Sequence, residues 1–115
     1  MNTNYKKDLL LKGNAAKRLL KEYQMYSQEV SKLQTKLDEL NNNGADEYDI
    51  RKQNEFLEES KGARLYIRNK LRTSYDTLSA LVDEIQDETI KELEEYKKAV
   101  EVLTSVREAF ESMQD

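Results

Sequence analysis

Carboxylates are the side chains of this sequence that could do acid–base chemistry, and they occur in dense runs. Asp and Glu together number 23 among 115 residues, and several lie within the runs DEIQDE (residues 83–88) and KELEEYK (residues 91–97). Paired carboxylates can act as general acid and base when burial or a neighbouring charge raises one pKa. On an exposed helix the same residues are solvated charges, and the sequence favours that interpretation.

The residues that other catalytic or metal sites need are missing. The sequence has no His and no Cys, which excludes Cys/His zinc sites, thiolate nucleophiles and conventional Ser-His-Asp triads. It also excludes the Glu-x-x-His pairs of four-helix carboxylate metal sites. Glycine occurs only at positions 13, 44 and 62, so there is no glycine-rich loop to bind a phosphate. We therefore predict that the chain is not an enzyme and holds no cofactor or metal.

Composition indicates an all-α protein. The chain has no proline, few glycines and 37% charged residues, which is typical of helical bundles and coiled coils. Its length suits a single domain, predicted over residues 1–115. No stretch is apolar enough for a signal peptide or a membrane span, so we expect a cytoplasmic protein that does not enter membranes.

Apolar residues in the first third of the chain follow a helical period. From Ala16 onward they recur at alternating steps of three and four, which predicts one long amphipathic helix over about residues 5–42. The stripe consists of Ala16, Leu19, Tyr23, Tyr26, Val30, Leu33, Leu37 and Leu40.

Two further helices are predicted after the break NNNGADE (residues 41–47). Gly44 suits the left-handed position that ends a helix, and Asp46 is a good N-cap for the next. The second helix, about 46–85, has a stripe through Phe56, Leu57, Ser60, Ala63, Ile67, Leu71, Tyr75, Leu78, Val82 and Ile85. The third, about 89–113, begins at Thr89 as N-cap and has a stripe through Leu93, Tyr96, Val100, Leu103, Val106, Phe110 and Met113.

These helices predict an elongated antiparallel three-helix bundle that runs up, down and up with coiled-coil-like packing. An unbroken helix through residues 85–89 is the alternative, and it would bury its excess stripe only by dimerising. In the bundle, residues equally far from the first turn lie at one height, which brings Lys17, Arg18 and Lys21 level with Arg68 and Arg72. If these five side chains share a face, they form a basic binding patch. If they point to different faces, they are ordinary solvated charges.

Nucleic acid is an unfavourable partner, although Tyr and Lys residues alternate in places. Tyr23, Tyr26, Tyr75 and Tyr96 lie on the predicted core stripes, and a pI near 5.0 does not suit a surface that follows phosphates. A rigid helical surface of high charge density instead indicates a protein-binding module. A structural or adaptor coiled coil that acts through helix-mediated contacts is one form of such a module.

Three blocks of the sequence resemble the tubulin-binding cofactor A family, also called tubulin-specific chaperone A. They are KRLLKEYQMYSQE (residues 17–29), YDIRKQNEFLEES (residues 48–60) and EEYKKAVEVLTSV (residues 94–106). The middle block is the most specific, because helical composition alone rarely reproduces so many fixed polar positions. Family members have a proline shortly after its Glu-Ser, whereas this chain has none, so Gly62 is the remaining candidate for a bend.

The resemblance implies a non-enzymatic cofactor that captures β-tubulin after release from the cytosolic chaperonin. It implies that the cofactor passes β-tubulin on toward the α/β heterodimer, in a cytoplasmic and microtubule-associated setting. Other tubulin-folding cofactors are further candidate partners, and family members occur as monomers or homodimers. The candidate β-tubulin-binding residues are the basic ones at one height and the outward polar ones of the middle block: Lys17, Arg18, Lys21, Arg68, Arg72, Tyr48, Lys52, Gln53, Glu55 and Glu59.

Overall fold

The computed structural model describes residues 4–112, and these form helices joined by short connections. Two long helices, α1 (Tyr5–Asn42) and α2 (Glu47–Glu84), pack against each other as an antiparallel hairpin. A single turn, α3 (Glu88–Lys91), leads into α4 (Glu94–Ser112), which packs on both long helices. The molecule measures 65 × 19 × 16 Å. This architecture confirms the predicted elongated all-α bundle.

Glycine closes the first helix by adopting a left-handed conformation, as predicted. Gly44 has φ of 66°, which is accessible to a residue without a Cβ. The amide of Gly44 donates to the carbonyl of Asn41, and that of Ala45 donates to the carbonyl of Leu40. This pair of bonds is a Schellman motif, which satisfies carbonyls at the end of α1. Asp46 then caps α2 by accepting a hydrogen bond from the Tyr48 amide at 3.4 Å.

The second break lies at residues 85–87, where α2 ends and Ile85 is extended and almost fully buried. The predicted N-cap, Thr89, is wrong by two residues. Asp87 is the cap, because its carboxylate accepts both from the Thr89 amide at 2.8 Å and from the Thr89 hydroxyl at 2.7 Å. The helix predicted from residue 89 is also interrupted at Glu92 and Leu93. The separate turn places Ile90 against the core before α4 starts.

Buried side chains form two adjoining clusters, and each draws on α1, α2 and α4. Helix α4 has 19 residues whereas α1 and α2 have 38 each, so it covers only part of the hairpin. The cluster farther from the α1–α2 turn contains Leu9, Ala16, Leu78, Leu81, Ile85, Ala99 and Leu103. The cluster nearer to that turn contains Leu19, Leu20, Tyr23, Leu71, Val106 and Ala109.

The molecule therefore has two unequal halves. We call residues 5–23 and 71–112 the three-helix half, and residues 24–70 the two-helix half. In the two-helix half the buried side chains are those of Val30, Gln53 and Leu57.

Some residues of the predicted stripes are not buried. Tyr26 is 37% exposed and Phe56 is 51% exposed, because both lie on the side of the hairpin opposite to α4. Val100 of α4 is exposed as well, and Ala99 is buried in its place. The predicted stripe position Met113 lies outside the described residues. No helix within residues 4–112 is both long and apolar enough to cross a membrane.

Candidate protein-binding surface

Lys17 and Lys21 line a groove between α1 and α4. The groove has a volume of about 540 Å³, and apolar side chains of both helices form part of its lining. Glu95 and Glu101 of α4 line the same groove. Lys98 of α4 lines it as well, so the groove carries charges of both signs. Arg18, the third basic residue of this stretch, is exposed.

Arg68 and Arg72 lie on the other side of α4, where both contact Phe110. Their guanidinium carbons are 5.1 Å and 4.9 Å from the centroid of the Phe110 ring. Phe110 packs on Tyr23 in turn, with ring centroids 6.0 Å apart. Cation–π contacts of this kind stabilise a structure by about 0.5–1 kcal/mol at exposed sites. The two arginines therefore help to fix the end of α4.

The basic residues are thus brought to one height but not onto one face. Leu20 and Tyr23 share a cluster with Leu71, so the heights agree with the expected register. Helix α4 lies between the lysines and the arginines. This separation reduces the repulsion between the two basic segments, although they lie at one height of the hairpin. The single continuous basic patch considered in the sequence analysis does not form.

Gln53 of the middle block is buried, whereas an outward side chain was expected. It is 8% exposed, and its Nε2 donates a hydrogen bond to the Leu33 carbonyl of α1 at 3.2 Å. Leu57, one turn later, is 2% exposed. Since a buried polar group is stabilising only when hydrogen-bonded, Gln53 fixes the pairing of α1 and α2 at this height.

Tyr48, Lys52 and Glu55 form a small exposed cluster in the first turns of α2. The Tyr48 side chain is 53% exposed, with Arg51 and Lys52 cations 5.6 Å and 6.0 Å from its ring centroid. Lys52 also pairs with Glu55 at 3.6 Å. Exposed pairs of this type are weak, about 0–1 kcal/mol, so these side chains can exchange their contacts for those of a partner.

Exposed aromatic side chains lie on the side of the α1–α2 hairpin that faces away from α4. On α1, steps of seven residues join Leu19, Tyr26 and Leu33, and on α2 a step of seven joins Phe56 and Ala63. Leu19, which is only 8% exposed, lines one shallow groove of about 400 Å³ together with Tyr66. We call this surface the open face; it comprises Leu19, Glu22, Tyr26, Glu29 and Leu33 of α1 and Phe56, Glu59, Ala63, Tyr66 and Lys70 of α2.

Sequence reasoning identified Glu59 on this face but missed its aromatic residues. Tyr26 and Phe56 were assigned to core stripes, and Tyr66 was given no role. No local signal distinguishes them, because the side of the hairpin that α4 covers is a tertiary property.

Hydrogen bonds shift the pKa of Tyr5 and of Asp87 at the opposite end of the molecule. The Tyr5 hydroxyl donates to the Glu84 carboxylate at 3.0 Å, which raises the pKa of Tyr5 above its usual value. Hydrogen bonds from the Thr89 side chain and backbone lower the pKa of Asp87. Tyr5 thus links α1 to α2, and Asp87 caps the turn α3, both at the base of the three-helix half.

Comparison with known proteins gives the family. Residues 4–103 match the family model for Tubulin binding cofactor A. The chain belongs to this family. Human tubulin-specific chaperone A is 33% identical over 101 residues, covering 88% of this chain and 92% of the relative.

The fold agrees with two solved structures of tubulin cofactors. The crystal structure of tubulin folding cofactor A from Arabidopsis thaliana superposes with a TM-score of 0.84 at 25% identity, covering 93% of this chain and 99% of that one. Human tubulin chaperone cofactor a superposes with a TM-score of 0.80 at 30% identity, covering 90% and 98%. The family resemblance seen in the sequence is confirmed.

Membership of the cofactor A family also supports the prediction that the chain is not an enzyme, since the relatives it matches are chaperones and folding cofactors. Within residues 4–112, no cluster of three or more Asp or Glu residues is arranged to hold a metal ion.

Proposed function

We propose that this cofactor A family member captures β-tubulin monomer after its release from the chaperonin and passes it toward assembly with α-tubulin. The family match over residues 4–103 is the observation that carries this proposal. Binding is reversible and takes place in the cytoplasm, in association with the microtubule system. Other tubulin-folding cofactors act as further partners during transfer.

The arrangement of the middle block supports two roles for its residues: some stabilise the hairpin, and others are available to contact β-tubulin. Gln53 and Leu57 point inward and connect the two long helices. Tyr48, Lys52, Glu55 and Glu59 are exposed, and we assign them to the β-tubulin interface. Gln53 contributes to binding by positioning these neighbours.

The basic residues form a second part of the proposed interface. Lys17 and Lys21 offer charge on one side of α4, and Arg68 and Arg72 do so beside Phe110. Arg18 is exposed and lies away from α4. β-Tubulin is acidic overall and this chain has a net charge of −4, so long-range attraction does not drive the encounter. Local basic sites are then needed to favour a specific orientation of the complex.

Direct binding to separated tubulin subunits tests the proposed function. Immobilised wild-type chain is expected to retain β-tubulin monomer and to release it when α-tubulin and downstream cofactors are supplied. Retention of neither subunit would contradict the proposal. A dimer seen by light scattering at micromolar concentration, together with no affinity for tubulin, would instead indicate a structural adaptor.

The basic part of the interface is tested by charge reversal on both sides of α4. Lys17→Glu combined with Arg68→Glu is expected to weaken β-tubulin binding while circular dichroism shows unchanged helicity. Unchanged affinity in a fully helical variant would remove these residues from the interface.

A further inference from the structure

The open face combines exposed aromatic side chains with a regular pattern of charge. Tyr26 is 37%, Phe56 51% and Tyr66 61% exposed. At the same heights, the side of α1 that faces toward α4 carries only polar residues: Gln24, Ser27, Gln28 and Ser31. Accessible aromatic residues on one side of a helix pair mark an interaction site more specifically than isolated surface hydrophobics do.

Carboxylates flank the middle of this aromatic strip. Glu22 and Glu29 lie beside Tyr26 on α1, and Glu59 lies between Phe56 and Ala63 on α2, each three or four residues from its apolar neighbour. The register that joins Gln53 to Leu33 places Glu29 and Glu59 across from each other. The centre of the open face is therefore acidic.

Basic residues mark the two ends of the strip. Arg18 and Lys70 lie at the end nearer the three-helix half, where the Lys70 ammonium is 5.1 Å from the centroid of the Tyr66 ring. Lys36 and Lys52 lie at the end nearer the α1–α2 turn. A complementary partner would have an apolar face with basic residues near its middle, opposite the carboxylates. It would not need basic residues at its ends, where the open face is itself basic.

We propose that the open face binds an amphipathic helix of the client protein, with Lys or Arg flanking the middle of its apolar side. This inference rests on the proposed function, since it names the kind of client segment that the cofactor captures. The helix lies between α1 and α2, opposite the groove that α4 occupies, and its apolar residues cover Tyr26, Phe56 and Tyr66. Helix-in-groove recognition of this kind uses anchors at helical spacing.

The dimensions of the open face suit a short helix. From Leu19 to Leu33 the strip extends over four turns of α1, about 21 Å at 1.5 Å per residue. A partner helix of about four turns would match it in length. Helix α4 shows that the two long helices accept a third helix in a groove of their hairpin.

Truncation of the aromatic residues tests the apolar part of the proposal. Phe56→Ala combined with Tyr66→Ala is expected to weaken binding of β-tubulin monomer at least tenfold, because large aromatic anchors dominate interface affinity. Leu65→Ala is the matched control, since Leu65 is 48% exposed next to Tyr66 and lies off the open face. Equal binding by the double variant and wild type, with helicity retained, would overturn the proposal.

Charge reversal tests the acidic centre. Glu29→Lys combined with Glu59→Lys is expected to reduce β-tubulin binding at least tenfold. Glu108→Lys combined with Glu111→Lys changes the net charge equally at exposed positions of α4 and is expected to bind as wild type does. Equal losses in both variants would indicate a net-charge effect and overturn the assignment to the open face.

A synthetic probe separates this inference from the proposed function. The probe is a four-turn peptide of Leu and Lys with one apolar face, compared with a Leu and Glu peptide of the same pattern. Wild type is expected to bind the Leu/Lys peptide in fluorescence anisotropy, and Glu29→Lys/Glu59→Lys is expected to reverse the preference. Preference of wild type for the Leu/Glu peptide, or binding to neither, would overturn the inference even if β-tubulin binds.

Two remaining outcomes also have defined meanings. If β-tubulin is not retained while the Leu/Lys peptide binds at the open face, the proposed function fails and the chemistry assigned to the face stands. If wild type forms a dimer that Phe56→Ala/Tyr66→Ala dissociates, while the affinity of the variant for β-tubulin is unchanged, the occupant is a second copy of the chain and the proposal is wrong.

Discussion

The two halves of this bundle use the same two helices in different ways. In the three-helix half, side chains from α1, α2 and α4 meet in two continuous apolar clusters. In the two-helix half, residues 24–70 bury Val30, Gln53 and Leu57 and leave several aromatic residues in solvent. Because burial of apolar surface is the main stabilising term in folding, the three-helix half provides most of the stability. The two-helix half is left with surface that a client can cover.

The family's most specific block lies in the less stable half. Of residues 48–60, only Gln53 and Leu57 are buried; Ile50 is half-buried, and the other large side chains are exposed. Regions with few buried apolar contacts open locally at lower free energy, and binding surfaces often lie there. If residues 1–115 form one domain, as the sequence predicts, both halves unfold together in urea. We nevertheless expect local hydrogen exchange to be faster in the two-helix half.

The largest expected effect would come from a cavity in the three-helix half. Leu78 is fully buried within a cluster that includes side chains of α1 and α4. Leu78→Ala should reduce the free energy of unfolding by about 2–5 kcal/mol, the range for a buried leucine. Leu57→Ala is the matched change in the two-helix half and should cost less, because two helices can close more readily around the gap. Urea denaturation measures both, and an equal or larger loss for Leu57→Ala would contradict the contrast in stability.

A charge placed at Gln53 tests how the two helices of the two-helix half are held. Gln53→Glu keeps the shape of the side chain but replaces the amide donor to the Leu33 carbonyl with a carboxylate. An unpartnered buried polar group costs about 1–3 kcal/mol, and we expect a loss of this size at pH 7. Stability should recover as the pH is lowered, because protonation restores a donor. Glu59→Gln is an exposed control, and a similar loss there would show that the site of Gln53 is not special.

Part of this contrast was predictable from the sequence, and part was not. Helical period and the position of Gly44 predict the long hairpin, because each is a local property of the chain. These local signals do not predict which of Phe56 and Leu57 is buried, because two adjacent residues on a helix can both lie next to the same helix–helix interface. That choice depends on where α4 packs and where it ends, which are tertiary properties.

The misplaced cap and the inward Gln53 have related causes. Asp87 and Thr89 are both good capping residues, and only the extended backbone at Ile85 decides in favour of Asp87. Gln53 was expected to face outward because it is polar, but its hydrogen bond to α1 makes an interior position favourable. Local propensity could not distinguish these alternatives.

The turn of the two-helix half provides a smaller test. Gly44→Ala introduces a Cβ at φ of 66°, which costs about 1 kcal/mol for a residue other than glycine. No atom lies within 4 Å of that Cβ position, so the cost is conformational and not steric crowding by neighbours. Gly62→Ala is the control, because Gly62 is helical and equally uncrowded and should gain stability. Thermal unfolding of both variants should shift in opposite directions.

The smallest expected effect is a pH dependence confined to the base of the three-helix half. Hydrogen bonds from Thr89 lower the pKa of Asp87 in the folded chain below its ordinary value of 3.8. This contribution to stability is therefore complete above the unfolded pKa and is lost as the pH falls through the folded pKa. Asp87→Asn retains an N-cap acceptor without the ionisation. The advantage of wild type over Asp87→Asn in urea should shrink as the pH is lowered from 5 toward 2. A constant difference would mean that the carboxylate charge contributes nothing to the cap.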